Sequence, residues 1–357
     1  MALKKISAAD ALSALTNFSA IIDARSESEY ALDRLPGAVN WPTLNDAQRE
    51  QIGTEYVQAS AFDAKKRGAA IAAKNIAAHI EREVMALPKC WKPLVYCWRG
   101  GKRSGSLALV LSEIGFEVTL IDGGYKAFRA AVVEDIARLA KQFNYRIICG
   151  PTGSGKTRLL QGLRADGAQV LDLEALAEHR SSVLGLIPGQ PQPSQKQFDM
   201  RIWHALRQLD PSRTVWAESE SKKVGNVSIP DALMTALRAS PCALVELPSP
   251  ERVKLLLEDY DFFVKDPAFF CERLEVLRDL RGHEVINRWQ ALIKAGDTDD
   301  LALVVQELLE LHYDPGYLSS TRRNFSQFDA SHLIALSAIY TPAIPSFYSK
   351  LRKNCEI

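Results

Sequence analysis

The sequence predicts an α/β protein in which two units with parallel sheets follow one another and a helical C-terminal region completes the chain. Short apolar runs that predict buried strands alternate with longer amphipathic stretches that predict helices, a pattern typical of parallel sheets. Two of these runs end in glycine-containing loops that open a helix, at residues 97–104 and 150–157. From about residue 250 onward, the apolar positions follow helical periodicity.

The first unit is predicted to span residues 10–135. Its predicted strands are short apolar runs at 19–23, 93–96 and 118–122. The Ala-rich stretch 55–86 carries spaced Ile and Val and predicts helical structure, and a further helix is predicted to begin at Ser104. A charged amphipathic helix at 127–142 is predicted to link this unit to the next.

The second unit is predicted to span residues 143–250. Its predicted strands lie at 145–149, 169–172, 214–217 and 243–246. The Pro- and Gln-rich stretch 187–194 predicts a loop within this unit. Residues 251–357 are predicted to form the helical C-terminal region.

The composition limits the functions to consider. The chain has 357 residues, of which 47% are hydrophobic and 24% charged, and its formal net charge is +1. Any nucleic-acid site must therefore be a local basic patch on an ordinary globular protein. The six cysteines show no metal-ligand spacing, so we expect reduced thiols and no structural metal. No signal-peptide pattern or membrane-spanning apolar run is visible, which predicts a cytoplasmic protein without a membrane partner.

One cysteine loop carries the clearest chemical signal of the first unit. Cys97 follows a predicted strand and precedes the residues Arg99, Gly100, Gly101, Lys102, Arg103 and Ser104. Glycines allow backbone N–H groups to turn inward as an anion nest, and cations near a helix N-terminus stabilise a thiolate. We therefore predict that Cys97 is a nucleophile that carries a group covalently, with the six residues after Trp98 as its anion nest.

The cysteine loop has two alternative interpretations. A buried structural thiol is the plainer one, but three cations beside two glycines disfavour it. The spacing from Cys97 to Arg103 also matches that of cysteine phosphatases, which leaves a phosphatase as a competing hypothesis. That chemistry needs a general acid for the leaving group, and the loop itself contains none.

The second glycine-containing loop, Gly-Pro-Thr-Gly-Ser-Gly-Lys-Thr at 150–157, fits the P-loop pattern. A predicted strand precedes it and a predicted helix follows, which is the context that the motif requires. Its predicted phosphate-binding residues are Gly150, Gly153, Ser154, Gly155, Lys156 and Thr157. Lys156 would reach a second phosphate and Thr157 would hold Mg²⁺. The motif predicts a bound diphosphate group and does not specify ATP.

Charged side chains follow the predicted strands of the second unit. Asp172 and Glu218 come at the ends of strands, and Glu220 follows closely. Because ligands bind at the carboxyl ends of parallel strands, we predict that these carboxylates contact Mg²⁺ or substrate. His179 and Arg180 are further candidates for phosphate contacts. For each of these residues, a solvated loop or helix end is the alternative.

Segments from both units resemble known families. The first unit resembles rhodanese domains at residues 22–25, 29–30, 35–42, 97–104 and 122–129. The cysteine loop joined to a P-loop resembles bacterial tRNA 2-selenouridine synthases over essentially the whole chain, as do residues 172–174, 179–180, 218–221 and 312–315. Two departures are local: Lys102 replaces an uncharged residue, and 181–184 departs from the Gly-Ser-x-Phe of the family.

The resemblance implies a two-step reaction on tRNA. The family replaces sulfur by selenium at C2 of a 2-thiouridine in the wobble position of the anticodon loop, with selenophosphate as the donor. A geranyl group from geranyl diphosphate first turns the sulfur into a leaving group. By this resemblance, Cys97 would carry selenium as a perselenide, and the P-loop would bind geranyl diphosphate with Mg²⁺ as an optional ion and no tightly bound cofactor.

The expected partners are tRNA and an enzyme that supplies selenophosphate. Arginines of the helical region are candidates for tRNA phosphate contacts, with solvated helix faces as the alternative: Arg273, Arg278, Arg281, Arg288, Arg322 and Arg323. Two other functions stay open, a rhodanese-type sulfurtransferase fused to an ATPase or kinase, and a non-catalytic regulator that senses nucleotide and reduced sulfur. ATP hydrolysis would support the first, and activity unchanged by Cys97→Ser would support the second.

Overall fold

The computed structural model describes residues 3–336, which form two compact units. Unit 1 consists of Met1–Asp135 together with Ser194–His204, and unit 2 consists of Ile136–Pro193 and Ala205–Ile357. The predicted helical region reaches residue 357, and its last part, 337–357, lies outside the described residues. Within 3–336, no helix combines the length and the apolar character that crossing a membrane requires.

A five-stranded parallel sheet forms the centre of unit 1. Its strands are β1 (Lys4–Ile6), β2 (Ala20–Asp23), β3 (Ala38–Asn40), β4 (Pro93–Tyr96) and β5 (Thr119–Ile121). They lie in the order β1-β5-β4-β2-β3, and all neighbouring strands are parallel. The predicted parallel α/β fold is confirmed. The sequence did not indicate β1, because its three residues Lys-Lys-Ile carry no strand pattern.

Helices connect the strands of unit 1. They are α1 (Ala8–Ala14), α2 (Glu27–Leu32), α3 (Asp46–Gln58), α4 (Ala61–His79), α5 (Lys102–Ile114) and α6 (Gly124–Leu139), with short 3-10 and π-helical turns at Leu15–Asn17 and Ile80–Val84. Asn45 and Gln48 form a capping box that starts α3. Leu107 and Leu111 of α5 pack with Val95 of β4 in the core of the unit.

Unit 2 is built on a second five-stranded parallel sheet. Its strands are β6 (Tyr145–Cys149), β7 (Gln169–Leu171), β8 (Val215–Glu218), β11 (Cys242–Glu246) and β12 (His332–Ala335), and a separate antiparallel hairpin contains β9 (Lys223–Val224) and β10 (Val227–Ser228). The sheet order is β12-β11-β6-β8-β7. The region predicted as helical therefore also supplies a strand. Three of its four residues are exposed.

The helices of unit 2 lie mostly in the C-terminal half of the chain. They are α7 (Lys156–Ala165), α8 (Leu173–Ala177), the last turn of α9 (Gln195–Arg207, of which the residues up to His204 belong to unit 1), α10 (Asp231–Arg238), α11 (Ser249–Asp259), α12 (Asp261–Lys265), α13 (Pro267–Leu274), α14 (Arg278–Arg281), α15 (His283–Ala295), α16 (Thr298–Leu308) and α17 (Asp314–Asn324), with 3-10 turns at Glu275–Leu277 and Phe328–Ala330 and a π-helical turn at Leu309–Tyr313. Helices α12, α13, α15 and α16 share an apolar core around the fully buried Trp289. The predicted helical region is confirmed within the described residues.

Residues 194–204, which include most of α9, belong to unit 1 although they follow the P-loop in the chain. Asp199 forms an ion pair with Arg129, and the indole N–H of Trp203 donates to Asp135 at 2.8 Å. The predicted second domain, 143–250, thus includes a segment that packs with the first unit. Helical periodicity predicts the buried face of α9 but does not identify the surface that covers it.

Candidate active sites

Cys97 lies directly after β4, in the turn that leads into α5. Its side chain is only 3% exposed, and the Ser104 hydroxyl donates a hydrogen bond to its sulfur at 3.0 Å. Ser104 is itself fully buried in the first turn of α5. A hydroxyl donor and the N-terminal end of a helix both favour a thiolate. The loop therefore provides two stabilising features for a nucleophilic sulfur.

The turn at the start of α6 fixes the shape of the cysteine loop. The backbone N–H of Tyr125 donates to the carbonyl oxygen of Cys97 at 2.8 Å. Gly124 has a φ of +59°, and an added Cβ would lie 2.3 Å from the same carbonyl oxygen. Only glycine combines this backbone conformation with so close an approach. The position of Cys97 thus depends on a turn that follows β5.

The cations of the cysteine loop differ in their surroundings. Arg99 and Lys102 are exposed, and in the described part of the chain neither side chain has a hydrogen-bond or ion-pair partner. Arg103 instead forms a two-point ion pair with Glu29, at 2.6 and 3.3 Å. Burial opposes the charge of Glu29, but the hydrogen bonds and charge of Arg103 hold the pKa of Glu29 below its usual value. Direct binding of an anion by Arg103 stays a prediction.

A further cation approaches this loop that the sequence did not indicate. The rings of Trp98 and Tyr125 stack with centroids 5.4 Å apart. The Lys196 ammonium, on α9, lies 5.4 Å from the centroid of the Trp98 ring. No motif surrounds Lys196 in the sequence, and only the packing of residues 194–204 on unit 1 brings it beside Trp98.

The P-loop connects β6 to α7 and ends in a buried lysine. Lys156 begins α7, and its ammonium donates to the carbonyl oxygens of Gly150 and Pro151 at 2.6 and 3.3 Å. Gly150 has no room for a side chain, because an added Cβ would lie 2.4 Å from the Ser154 hydroxyl oxygen. Gly153 and Gly155 also have positive φ values. These conformations turn the loop around the start of α7, as an anion site requires.

Residues far along the chain support the P-loop. The Arg252 guanidinium donates to the Thr152 carbonyl oxygen at 2.6 and 2.9 Å and to the Asp314 carboxylate at 2.7 and 2.9 Å. The backbone N–H of Gly150 donates to the Tyr317 hydroxyl at 2.6 Å. Because these residues lie on α11 and α17, the helical region shapes the P-loop.

Three carboxylates meet beside the P-loop. Oxygen atoms of Glu174, Glu218 and Glu220 lie within 4.8 Å of one another, a spacing that suits a metal ion. Thr157 lines the same cavity as Glu218. The Oε1 atom of Glu218 is buried without a hydrogen-bond partner among residues 3–336. Carboxylate and hydroxyl oxygens are the ligands that Mg²⁺ prefers, so the residues present fit such an ion.

Asp172 and Glu174, which lie two positions apart after β7, have different surroundings in the structure. Asp172 caps α8, because its carboxylate accepts a hydrogen bond from the N–H of Ala175 at 2.9 Å. Its contact with Mg²⁺ or substrate stays a prediction. Glu174 joins the carboxylate group; the sequence placed it in the family-like segment 172–174 but assigned it no role. The sequence feature that could have identified Glu174 is its position, two residues after Asp172 and shortly after the carboxyl end of β7.

Burial and mutual repulsion raise the pKa values of the three carboxyl groups. Burial first, and the charge of Glu220 second, raise the pKa of Glu218 to about 8. The same causes raise the pKa of Glu174 to about 10. Burial raises the pKa of Glu220 to about 7, although Ser181 donates a hydrogen bond to it. These groups hold protons until a cation replaces them.

His179 and Arg180 line the same cavity, which has a volume of about 750 Å³. Burial, followed by the charge of Arg273, lowers the pKa of His179 and favours its neutral ring. The Arg180 guanidinium lies 4.7 Å from the centroid of the Tyr260 ring. The structure thus gathers most of the predicted residues of this site on one cavity: Gly153, Gly155, Lys156, Thr157, Asp172, His179, Arg180, Glu218 and Glu220.

The arginines predicted to contact tRNA are mostly engaged in local contacts. Five of the six have partners: Arg273 with the Val183 carbonyl, Arg278 with Glu275, Arg281 with His312, Arg288 with Glu307 and Arg322 with Asp329. Arg323 is exposed and has no recorded partner within the described ranges. A tRNA contact through any of them stays a prediction.

The fold and the two sites define a class of protein in which a rhodanese-like thiol domain is joined to a P-loop domain. A rhodanese-like domain model matches residues 7–131, and the model of the tRNA 2-selenouridine synthase AAA domain matches residues 143–273. These matches confirm the pairing of domains that the sequence indicated.

Two relatives extend the similarity over most of the chain. A tRNA 2-selenouridine synthase of Nitrosomonas europaea is 31% identical over 346 residues, which cover 85% of this chain and 89% of that protein. A tRNA 2-selenouridine synthase of Bdellovibrio bacteriovorus is 30% identical over 347 residues, with the same two shares, 85% and 89%. The chain belongs to the tRNA 2-selenouridine synthase family.

Replacing Gly124 by Ala should displace the cysteine loop, because the new methyl group would collide with the Cys97 carbonyl. We expect alkylation of Cys97 at neutral pH to slow roughly tenfold, the effect of losing one hydrogen bond to a charged sulfur. Timed iodoacetamide labelling followed by peptide mass spectrometry measures the rate. Gly105→Ala is the control, since an added Cβ there meets no atom within 4 Å. Equal rates in both variants would show that the turn does not position Cys97.

The carboxylate group predicts a pH dependence of stability in metal-free buffer. Folded protein keeps protons on Glu220 and Glu218 up to a pH of about 7 and about 8, whereas an unfolded chain loses them near a pH of about 4.3. Stability should therefore fall as the pH rises through this window.

Calorimetry between pH 5.5 and 8.5 tests this dependence. The melting temperature should fall with pH, by about 2–4 °C for each kcal/mol lost. Glu220→Gln should flatten the profile, and Glu272→Gln, at an exposed position, should not. A profile that is unchanged in Glu220→Gln would contradict the assignment.

Proposed function

We propose that this chain replaces sulfur by selenium in the wobble 2-thiouridine of tRNA, in two steps at two sites. Family membership supports tRNA as the substrate. The observation that supports the proposal is the presence of two loops that each lead into the start of a helix, one beside the sulfur of Cys97 and one that positions Lys156; we infer that each binds an anion. A simple sulfur transfer would need only the first of them.

In unit 1, selenophosphate is the proposed ligand of the cysteine loop. Arg99 and Lys102 neutralise its phosphoryl oxygens, and the Ser104 hydroxyl stabilises the attacking sulfur. Attack of Cys97 on selenium forms an S–Se bond and breaks the Se–P bond, whose electron pair leaves with phosphorus as phosphite. Phosphite is therefore the diagnostic product of the perselenide, whereas phosphate would indicate selenium transfer without an S–Se bond. A separate enzyme is the proposed source of selenophosphate.

In unit 2, geranyl diphosphate is the proposed ligand of the P-loop. The N–H groups at the start of α7 and the Lys156 ammonium bind its diphosphate group. The C–O bond of the ester breaks as the sulfur of the base forms a C–S bond, and diphosphate leaves with the electron pair. Thr157 and Glu218 would hold Mg²⁺, which would neutralise part of the charge on the diphosphate.

The two steps act on the same tRNA base. The perselenide attacks C2, so a C–Se bond forms and the geranylated sulfur leaves as a thiolate. A thiol reductant then attacks the S–Se bond, which frees the selenated base and leaves the two sulfurs joined as a disulfide. Sequential use of the two sites explains why one chain combines a thiol domain with a phosphate-binding domain.

Replacing Cys97 by Ser should abolish selenation and leave geranylation of thiolated tRNA intact, because the P-loop site contains no part of the cysteine loop. Mass spectrometry of nucleosides from tRNA incubated with the variant measures both products. Cys90→Ser is the control, at an exposed cysteine close in sequence. Selenouridine at the wild-type level in Cys97→Ser would refute the assigned role.

Replacing Lys156 by Ala should lower the rate of geranylation by at least about 10²-fold, the usual cost of removing an electrostatic donor from a developing charge. Selenation should fall with it, since the geranyl group makes the sulfur a leaving group. Lys294→Ala, at an exposed position on α15, should react normally. Normal geranylation by Lys156→Ala, together with loss of ATP hydrolysis, would assign the P-loop to a nucleotide.

A further inference from the structure

A small apolar chamber adjoins the P-loop cavity of unit 2. Its volume is about 60 Å³, against about 750 Å³ for the polar cavity. The two spaces adjoin each other, and five residues line both: Thr152, Ser182, Leu256, Tyr260 and Tyr313. Beyond this junction, the lining consists of apolar side chains from the C-terminal helices, including Phe270, Val305 and Leu308.

The lining changes from polar to apolar along the chamber. At the junction, three residues that carry hydroxyl groups, Ser182, Tyr260 and Tyr313, line both spaces. Behind them, the ring of Phe270 stacks on that of Phe263 with centroids 4.6 Å apart. A ligand that extends from the P-loop would therefore meet hydrogen-bonding groups first and hydrocarbon afterwards.

We propose that this chamber binds the end of the hydrocarbon chain of a prenyl diphosphate held at the P-loop, and that its depth selects the chain length. The inference rests on the proposed function of the P-loop. An empty apolar space forfeits dispersion contacts along its walls, and an apolar tail restores them. Water is a poor substitute there, because the side chains that line the chamber beyond the junction are apolar and offer it no hydrogen-bond partners.

The small size of the chamber is the basis of the selectivity. The chamber, at about 60 Å³, has less than a tenth of the volume of the polar cavity beside it, so we expect it to accommodate only the end of a chain. Phe270 and Leu308, which line the chamber, also belong to the apolar core of the C-terminal helices. A longer tail would have to displace these packed side chains, which destabilises a close-packed interior.

Val305 is the position best suited to test the chamber. It lines the chamber from α16 but is only half-buried and lies outside the core cluster. Substitutions there change the space for a ligand with little effect on the packed core. Leu303, on the same helix, is 41% exposed and does not line the chamber, so it provides a matched control.

The experiment compares the full-length wild type with Val305→Phe, Val305→Ala and Leu303→Phe. Each protein transfers prenyl groups to thiolated tRNA from dimethylallyl, geranyl or the longer farnesyl diphosphate, and mass spectrometry gives kcat/KM for each donor. Val305→Phe should lower kcat/KM for geranyl diphosphate by roughly tenfold or more, the effect of small changes of fit in an apolar pocket. The value for dimethylallyl diphosphate should stay unchanged.

The smaller side chain should act in the opposite direction. Val305→Ala should raise the ratio of farnesyl to geranyl transfer by roughly tenfold, and it provides the test by itself if Val305→Phe does not fold. Leu303→Phe should match the wild type. Wild-type ratios in the Val305 variants would overturn the chamber inference and leave the proposed function standing. Failure of the wild type to transfer any of the three groups would overturn both.

Discussion

The first turn of an α-helix leaves backbone N–H groups without partners inside the helix, and both candidate sites depend on this constraint. In unit 1, α5 begins at Lys102, directly after the cysteine loop. In unit 2, α7 begins at Lys156, at the end of the P-loop. Each helix follows a strand within a parallel sheet, so its start lies at the edge where ligands bind. An anion there satisfies the N–H groups and the positive end of the helix dipole together.

The two sites share this helix start but differ in the charged side chains around it. Around Cys97, the exposed Arg99 and Lys102 supply positive charge. Around the P-loop, burial opposes the charge of Lys156, but Tyr317 and the nearby carboxylates raise its pKa and keep it protonated. Protons on the carboxyl groups and a bound divalent cation are alternative ways to balance the charge in that cavity. The second site is therefore suited to a ligand that arrives with its own cation.

The helical region contributes to the P-loop site as well as to the core. Arg252, held by Asp314, fixes the Thr152 carbonyl, and Tyr317 accepts the N–H of Gly150. The same helices line the apolar chamber, and β12 extends the sheet on which the P-loop is built. Because one set of elements supports the loop and shapes its surroundings, the phosphate site and its neighbouring apolar space are parts of one packed structure.

The sequence by itself determined the parallel sheets, the strands 93–96 and 145–149 with their observed bounds, and both glycine-containing loops that open a helix. It could do so because each motif is contiguous, and local geometry follows from glycine positions and strand-to-helix order. Only the tertiary structure decided that Glu174 joins the carboxylates, that Lys196 approaches Trp98 and that Arg252 supports the P-loop. Arg252 and its partner Thr152 are separated by 100 positions in the chain. Apolar periodicity predicts which faces are buried, but the partner of each face, and the space left between them, depend on packing among distant segments.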